Sequence, residues 1–508
     1  MFCDKLAVLT GRELSMHLSS VSKLEARSKA DVVVVPFWKG KHGPEAAIEE
    51  IGVLRKALAP SLSSHDFKGK EEELLVIYED GEYEKRIALL GLGERDKVTV
   101  ERLRRAYAPI TKFALKKRLK SLNVPLPVCE AIPNEGVIQG VLEGLLLPNY
   151  SFHALKHESV KEDPPTLVEK ISLIGAGKKE MELAKTIETV CQGIYLTRDL
   201  VNGNADDVTP QYLAKVAVGL AKSHKSVKTT VLDKKQIVKE KMGLLLAVNR
   251  GSDLDPVFMT ISYRGNPKSD DHTVVVGKGI TFDTGGLNLK STGMETMKDD
   301  MSGAAIVLGV MGVVAELGLK VNVTGVIAST DNAIDAKSYK PGDVYQGHSG
   351  KTVEIGNTDA EGRLILADAL SYTVKHLKPT RIIDFATLTG AMGIALGTEA
   401  AGLFTNNDVL ADLLLRAGTE TGERLWRMPM FEEYRELLKS DVADIKSTGG
   451  RLGSSILAAQ FLQDFIGKTP WAHIDIAATA FSAEGRRYYP RFSTGIGVRL
   501  IIALLQNL

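Results

Sequence analysis

The chain has few cysteines, almost no net charge and no long apolar run, and each scarcity excludes a class of protein. Cys3, Cys129 and Cys191 are the three cysteines among 508 residues. They are too few and too scattered for a disulfide framework, so we predict free thiols in a reducing cytosol. The formal net charge of +1 gives no general field that would attract nucleic acid or acidic partners.

The sequence also lacks the signals of membrane insertion and export. Its longest apolar stretch, 304–315, is too short to span a bilayer and contains glycines, so we predict a buried helix there. The opening Met1-Phe2-Cys3-Asp4-Lys5 brings an acid early, and no charged segment followed by an apolar one is present there. We therefore expect neither a secretory signal nor a membrane partner.

The composition, 44% hydrophobic and 25% charged, predicts a sizeable core divided over more than one domain. Strands and helices alternate along the chain, which predicts an α/β fold whose mostly parallel central sheet is covered by helices on both faces. We predict a smaller N-terminal α/β domain at 1–177, a linker helix at 178–200 and a larger C-terminal domain at 201–508.

The most informative feature is the octapeptide at 357–364, Asn-Thr-Asp-Ala-Glu-Gly-Arg-Leu. The residues before it predict a short strand at 353–355, and apolar residues at helical spacing predict a helix at 361–377. Asp359 and Glu361 would then lie at the carboxyl end of a strand, where ligands gather in open α/β sheets. The alternative is a simple helix cap, in which the acids complement the helix dipole.

An upstream segment supplies more carboxylates and two lysines. An apolar run followed by glycines predicts a buried strand at 273–276 that ends in a turn, so that Lys278 emerges at the same sheet edge. Four acids can converge there: Asp283, Asp300, Asp359 and Glu361. Such a cluster of like charges requires cations, and carboxylates without a histidine or cysteine set suit two divalent ions. Beside those ions Lys278 would become a neutral amine ligand, whereas Lys290 could stay charged and polarise a substrate carbonyl.

These residues resemble the leucyl aminopeptidases, the cytosolic dinuclear metallopeptidases of family M17. Besides the octapeptide, the resemblance is carried by Lys278 and Asp283 at their spacing, Lys290, the Met-Lys-Asp-Asp-Met element ending at Met301, and the flanking segments 384–391 and 471–477. It covers residues 195–500 firmly and the N-terminal part loosely. The resemblance implies that 201–508 is the catalytic domain and that the smaller domain shapes access and assembly.

Carried over position by position, the family pattern implies two metal ions. One is held by Lys278, Asp283, Asp300 and Glu361, and the other by Asp283, Asp359 and Glu361. Asp283 and Glu361 would therefore bridge the two ions. The segment after Lys290 is one residue shorter than the family pattern, and the methionine that follows Asp300 selects it over Asp299 as the ligand.

The resemblance also implies the reaction. Arg363 would hold a bicarbonate ion as general base, and Lys290 would stabilise the oxyanion formed when a water bridging the metals attacks the carbonyl. The implied substrate-binding residues are Met297, Asn357, Thr387, Leu388 and Gly390. We expect an aminopeptidase that removes leucine and other apolar residues from peptides, because a free α-amine would bind one metal.

The sequence narrows the choice of metal ions without selecting one, and the assembly follows from the family resemblance alone. Oxygen ligands tolerate Mn and Mg, while the lysine nitrogen favours Zn or Co, so we expect two divalent ions per subunit, Mn or Zn, with Mg or Co as alternatives. The resemblance further implies a homohexamer in the cytoplasm.

Two other functions stay open from sequence alone. Some bacterial members of the family also bind DNA, and Lys116, Lys117 and Arg118 form a basic run, which we interpret as the solvated end of a helix predicted at 100–120. A different two-metal hydrolase, such as a phosphoesterase, could use the same cluster of carboxylates and two divalent ions. The amine of Lys278 as a metal ligand argues against it. His473, on an apolar strand predicted at 472–476, is expected to be packed rather than ligating.

Overall fold

The computed structural model of the chain describes residues 16–49 and 51–508, which form two compact units. One unit holds the described residues up to Cys191 together with 484–491, and the other holds 192–483 and 492–508. Cys3 and the opening segment, for which no export signal was expected, lie outside the described residues. Cys129 is a half-buried free thiol, and Cys191 is buried.

The smaller unit is built on a mostly parallel sheet. Its described strands are β1 (His17–Val21), β2 (Val32–Lys39), β3 (Pro44–Ala46), β4 (Leu74–Tyr78), β5 (Arg86–Gly91), β6 (Ser121–Pro125) and β7 (Lys170–Ile174). The order is β1-β7-β6-β2-β5-β4, with β3 paired to β2. Only the pairs β4–β5 and β2–β3 are antiparallel among these strands. Strand β2 is a nearly continuous apolar run and is buried except for its last residue, as expected for a parallel strand covered on both faces.

The helices of this part of the chain include the one that carries the basic run. They are α1 (Arg55–Ser63), α2 (Val100–Lys117), α3 (Asn134–Leu146), α4 (Glu158–Glu162) and α5 (Lys178–Asn202). The Thr99 side chain accepts the Arg102 N–H and begins α2, and Arg118 ends it in the left-handed conformation. Lys116 and Lys117 are exposed in the last turn, and Arg118 pairs with Asp163. The predicted solvated helix end is confirmed.

Helix α5 matches the helix predicted at 178–200 as the linker. The division between the two units falls inside it, after Cys191. One continuous helix therefore contains the boundary, and the domain limits drawn from the sequence stay a prediction.

The larger unit contains an eight-stranded sheet and two small ones. Its strands are β8 (Val227–Leu232), β9 (Val257–Arg264), β10 (Thr273–Asp283), β11 (Asn322–Asn332), β12 (Val344–Gln346), β13 (Thr352–Glu354), β14 (Arg381–Ala386), β15 (Ala401–Thr405), β16 (Leu425–Arg427), β17 (Ile445–Lys446), β18 (Trp471–Asp475), β19 (Phe481–Ser482) and β20 (Phe492–Ser493). The large sheet runs β16-β15-β18-β14-β10-β11-β9-β8. Its four central strands, β18, β14, β10 and β11, are parallel, while β15, β9 and β8 enter antiparallel pairs. The parallel character predicted from the sequence is thus found at the centre.

Helices pack around this sheet. They are α6 (Pro210–Ser223), α7 (Lys234–Lys239), α8 (Gly243–Val248), α9 (Ser302–Leu317), α10 (Glu361–Tyr372), α11 (Gly390–Leu396), α12 (Asp408–Thr421), α13 (Ser454–Gln463) and α14 (Val498–Gln506). Residues 302–315 of α9 are all buried, which confirms the predicted core helix. The helical segment Met294–Leu317 is long and apolar enough to cross a membrane, but 89% of its apolar window is buried inside the protein.

Two strand predictions were wrong in ways that matter for the site. Strand β10 does not stop at residue 276 but continues to Asp283. Gly277 lies inside it because a Cβ there would approach the carbonyl oxygen of Gly303 to 2.4 Å, so this glycine serves close packing rather than a turn. Strand β11, predicted at 320–328, runs on to Asn332.

The strand before the octapeptide was also misplaced. Strand β13 pairs with β12 and β17 in a separate three-stranded sheet, not in the central one. After it come a 3₁₀ turn at Thr358–Ala360, helix α10, and a π-helical turn at Thr373–Leu377. The predicted helix 361–377 is therefore an α-helix with a widened last turn.

Candidate functional site

Two lysines hold four carboxylates together at one end of the central sheet. Lys278 lies inside β10, and its Nζ is 2.9 Å from both Asp300 Oδ1 and Glu361 Oε1. Asp300 comes from the 3₁₀ helix Met294–Met301, which precedes α9, and Glu361 is the first residue of α10. Three separate segments therefore meet at one buried ammonium group.

The second lysine makes the matching contact. Lys290 Nζ lies 2.7 Å from Asp283 Oδ2 and 2.5 Å from Asp359 Oδ1. Asp283 ends β10, and Asp359 lies in the 3₁₀ turn before α10. All the residues predicted from the sequence as metal ligands are thus brought into one cluster.

The donor set fits divalent cations. Asp283, Asp359 and Glu361 each offer an oxygen within 4.8 Å of the other two. Asp300 Oδ2 and Glu361 Oε2 are buried and accept no hydrogen bond from any described residue. A buried carboxylate oxygen without a partner is strongly destabilising. Four carboxylates also outnumber the two ammonium groups, so positive ions satisfy both the geometry and the charge.

Burial and mutual repulsion shift the proton affinities of the cluster. Burial, reinforced by the charge of Glu361, raises the pKa of Asp283 to about 6, and burial raises the pKa of Asp300 well above its ordinary value. Burial alone would raise the pKa of Glu361, but contact with Lys278 lowers it. For Lys278, burial opposes the charged form, and the carboxylates of Asp300 and Glu361 outweigh it and raise the pKa. Lys278 is therefore an ammonium here; the neutral amine predicted from the sequence requires the charge of bound ions.

Thr387 and Asn357, both predicted to bind substrate, contact the cluster itself. Thr387 Oγ1 donates to Asp300 Oδ1 at 2.8 Å, and its carbonyl oxygen accepts from Lys278 Nζ at 3.0 Å. Asn357 Oδ1 accepts the N–H of Asp359 at 2.8 Å. Asn357 thus caps the short 3₁₀ turn, whereas α10 begins without a side-chain cap. The acids of the octapeptide contribute to the cluster instead of capping α10.

The other predicted substrate-binding residues lie in less constrained positions. Met297 is half-buried in the 3₁₀ helix Met294–Met301. Leu388 is half-buried, and its N–H donates to Asp475 Oδ1 at 3.2 Å. Gly390 begins α11, and a Cβ at this position would have no neighbour within 4 Å. Their roles toward a substrate stay predictions.

Arg363 is buried with one donor unused. Its Nη1 donates to the Ser447 carbonyl oxygen at 2.8 Å, whereas Nε finds no acceptor among the described residues. Burial lowers the pKa of Arg363 to about 10, against the opposing charges of Glu361 and Asp475. The guanidinium is still protonated at neutral pH, so the unused N–H suits a small anion.

Comparison with known proteins identifies the family. The model of the cytosol aminopeptidase family catalytic domain matches residues 195–502, and that of its N-terminal domain matches 34–159. The chain belongs to the cytosol aminopeptidase family. A probable cytosol aminopeptidase of Protochlamydia amoebophila is 53% identical over 495 residues, covering 97% of this chain and 99% of that protein. One of Chlamydia abortus is 48% identical over 495 residues, covering 96% and 98%.

Solved structures of similar proteins agree with the fold. A mutant of tomato leucine aminopeptidase has a TM-score of 0.86 at 30% identity and covers 97% of each chain. The bottromycin maturation enzyme BotP in complex with Mn has a TM-score of 0.83 at 31% identity, covering 94% of this chain and 99% of that chain. As a cytosol aminopeptidase the protein is a metal-dependent hydrolase of peptides, and the phosphoesterase alternative is set aside.

Sequence reasoning missed two residues, Asn332 and Tyr339, whose hydrogen bonds hold the aminopeptidase cluster in place. Asn332 Nδ2 donates to Asp283 Oδ1 at 2.8 Å and to the Thr358 carbonyl oxygen at 3.0 Å. The Tyr339 hydroxyl donates to the same carbonyl oxygen at 2.7 Å. Asn332 ends β11 opposite Asp283 in the parallel register, so a correct end for that strand would have pointed to it.

Gly362 gives Lys278 room beside α10. A Cβ at position 362 would lie 2.5 Å from Lys278 Cε and 2.6 Å from Nζ. The octapeptide therefore needs a glycine between Glu361 and Arg363 because the buried lysine packs directly against the helix.

His473 is packed, as predicted, and it has a charged partner. It is fully buried on β18, and its Nδ1 lies 2.5 Å from Asp384 Oδ1 on β14. Its ring stacks on Trp471 and Phe404.

Proposed function

We propose that the carboxylate cluster is a two-metal centre that removes amino acids from the free N-terminus of peptides. One ion would be held by Lys278, Asp283, Asp300 and Glu361, and the other by Asp283, Asp359 and Glu361. The observation that carries this assignment is the convergence of four carboxylates, two of which keep a buried oxygen without a partner among the described residues.

Side chains around the ions have separate roles in the proposed reaction. When bound, the two ions supply Lewis acidity, which lowers the pKa of a water and polarises the scissile carbonyl. Burial opposes the charged form of Lys290, but Asp283 and Asp359 raise its pKa. We assign to Lys290, whose side chain is 18% exposed, a positive charge that faces the negative charge developing on a substrate oxygen. We assign to Arg363 Nε the binding of bicarbonate, which supplies a general base.

We assign substrate recognition to the surroundings of the cluster. Met297 and Leu388 offer apolar contact, and both are half-buried, which favours leucine and other apolar N-terminal residues. Gly390 leaves open space beside the start of α11. Asn357 and Thr387 act by holding Asp359 and Asp300 in position, and they complete the proposed substrate-facing set.

The donor chemistry favours Mn or Zn as the native metal, with Mg or Co as alternatives. The carboxylate oxygens suit Mn and Mg, and the amine of Lys278 suits Zn and Co. The similar enzyme BotP was solved with Mn. Metal content of protein purified without added metal, together with activity after reloading with each ion, would decide between them.

We further propose that the protein assembles as a homohexamer. This assembly is implied by the family resemblance of the sequence. Multi-angle light scattering at micromolar concentration should then give a mass six times the 55.1 kDa of one chain. A mass equal to that of one chain would contradict the hexamer without bearing on the metal centre.

We also propose that the protein is located in the cytoplasm. The relatives quoted above are named cytosol aminopeptidases. Fractionation of cells that express the chain, followed by immunoblotting, tests this location.

The decisive test of function compares leucine p-nitroanilide with its N-acetylated form. Protein stripped of metal and reloaded with Mn or Zn is expected to cleave only the substrate with a free amine, because acetylation removes the amine that would bind a metal. We expect no cleavage by the stripped protein and recovery after reloading.

The outcomes of that assay are readily separated. Equal cleavage of both substrates would overturn the requirement for a free N-terminus while leaving hydrolysis intact. Silence under every metal, in protein whose circular dichroism shows the α/β fold, would overturn the proposed two-metal peptidase.

A further inference from the structure

Three residues from distant parts of the sequence meet at the far end of α10 from the carboxylate cluster. Glu240 follows α7, His348 lies in the loop between β12 and β13, and His376 lies in the π-helical turn Thr373–Leu377. One ligand-capable atom of each lies within 4.8 Å of the other two. Glu361 begins the same helix 15 residues before His376, which at 1.5 Å per residue separates this group from the cluster by about 20 Å.

His348 offers a buried ring nitrogen to this group. The residue is 7% exposed, and its Nδ1 lies 2.8 Å from Ser371 Oγ. The other nitrogen, Nε2, is buried and has no hydrogen-bond partner in the described part of the chain. With Nδ1–H donating to Ser371, Nε2 carries a lone pair. This is the arrangement in which a histidine ligates a metal through one nitrogen while a second group orients the ring through the other.

The backbone around His348 is fixed before any ion arrives. Asp368 Oδ1 accepts the N–H of His348 at 2.8 Å. The other oxygen of Asp368 accepts the N–H groups of Leu244 and Leu245 at 3.0 and 2.9 Å. One buried carboxylate thus ties the hairpin loop to α8 and α10. A site held by such supporting contacts is preorganised for a ligand.

The second histidine lies in the π-helical turn that ends the helix. His376 stacks on Tyr372, four residues earlier in the chain, with ring centroids 4.3 Å apart. His376 Nε2 lies 3.4 Å from Glu240 Oε2.

An ion pair alone does not account for this arrangement. A surface pair of His376 and Glu240 contributes little to stability, and it leaves the buried Nε2 of His348 unsatisfied. Burial, helped by the charge of Lys375, lowers the pKa of His348 to about 4. This ring is therefore neutral at pH 7 and needs to lose no proton to act as a ligand.

We propose that Glu240, His348 and His376 form a separate binding site for a transition-metal ion such as Zn²⁺. Two imidazoles and one carboxylate match the ligand types and number that Zn²⁺ takes when a fourth position is left to water. Imidazole ligands also distinguish this site from the oxygen-rich cluster, because they favour Zn over Mg or Mn. The ion would join the segment after α7, the β12–β13 loop and the end of α10, with its fourth position taken by water.

The test measures how much zinc the full-length chain binds. Protein stripped with EDTA is dialysed against Zn²⁺, and zinc per chain is measured for wild type, His376→Gln and Glu240→Gln. Both residues are partly exposed, so the variants should fold. We expect each to bind one zinc fewer than wild type, with an affinity at the altered site reduced about a hundredfold or more. Zinc should also raise the thermal unfolding midpoint further in wild type than in either variant.

The exposed His42 provides a matched control. His42→Gln should bind as much zinc as wild type. Because the readout is a difference between variants, it does not depend on how many ions the carboxylate cluster holds or on peptidase activity. Equal zinc content in wild type, His376→Gln and Glu240→Gln would overturn the site.

Discussion

Replacing Glu361 by glutamine is expected to lower kcat/KM for leucine p-nitroanilide by about a thousandfold or more, equivalent to about 4 kcal/mol. Glu361 Oε1 contacts Lys278 Nζ at 2.9 Å, and Oε2 is buried without a partner among the described residues. Glutamine keeps the size but removes the negative charge and replaces one oxygen with an NH₂ group, which binds no cation. The loss is comparable to that found when one electrostatic stabiliser is removed from an active site.

The measurement needs both activity and metal content, at saturating Mn or Zn. A matched control is Glu354→Gln, since Glu354 lies in the same chain segment but pairs with Lys446 and Ser440 instead. We expect that control to retain its activity and both ions of the cluster. A folded Glu361→Gln protein whose kcat/KM stayed within tenfold of wild type would contradict the role given to Glu361.

The octapeptide was predictable because its chemistry is local. Asp359, Glu361 and Arg363 lie within five consecutive positions, so their proximity needed no knowledge of the fold. The helix that follows was also predictable, since its apolar residues repeat at the helical period. Both the acids and the start of α10 are found as expected.

The sheet that the preceding strand joins was not predictable in the same way. A short strand such as β13 carries no sequence signal that says which sheet it joins, and it pairs with β12 and β17 rather than with the central strands. Glycines inside β10 looked like a turn because their cause is tertiary. Gly277 makes room for the backbone of Gly303, a contact invisible to local patterns.

Some contacts between residues that are far apart in the sequence were not predicted at all. Asn332 supports Asp283 across two neighbouring strands, and it was missed because the predicted strand ended four residues too early. Glu240, His348 and His376 are far apart in sequence and have no motif spacing. Only the packing of α7, the β12–β13 loop and the π-helical turn brings them together.

Replacing Asp384 by asparagine is expected to lower the free energy of unfolding by about 3 kcal/mol or more, because it breaks a buried charged pair from one side. Asp384 is fully buried on β14 and faces two side chains of the neighbouring strand β18. Its Oδ2 accepts from Trp471 Nε1 at 2.7 Å, and its Oδ1 lies 2.5 Å from His473 Nδ1. Asparagine carries no charge and can offer only one acceptor oxygen to the two donors.

The deficit should depend on pH in a definite direction. Burial opposes protonation of His473, but the charge of Asp384 outweighs it and raises the pKa of the imidazole above its ordinary value, which is about 6.5 in an unfolded chain. The stabilisation from the charged pair is then complete below that unfolded value and is lost as the pH rises through the higher folded value. Denaturant unfolding should therefore show a larger difference between wild type and Asp384→Asn near pH 6 than near pH 9.

A substitution of an exposed aspartate is the control that separates the effect of burial from the loss of an ion pair. Asp408 pairs with Arg427 but is 82% exposed, so Asp408→Asn should change the free energy of unfolding by less than about 1 kcal/mol. An equal loss in the two variants would contradict the role of the buried pair. So would a deficit in Asp384→Asn that grew toward alkaline pH, because the pair is strongest while the imidazole is charged.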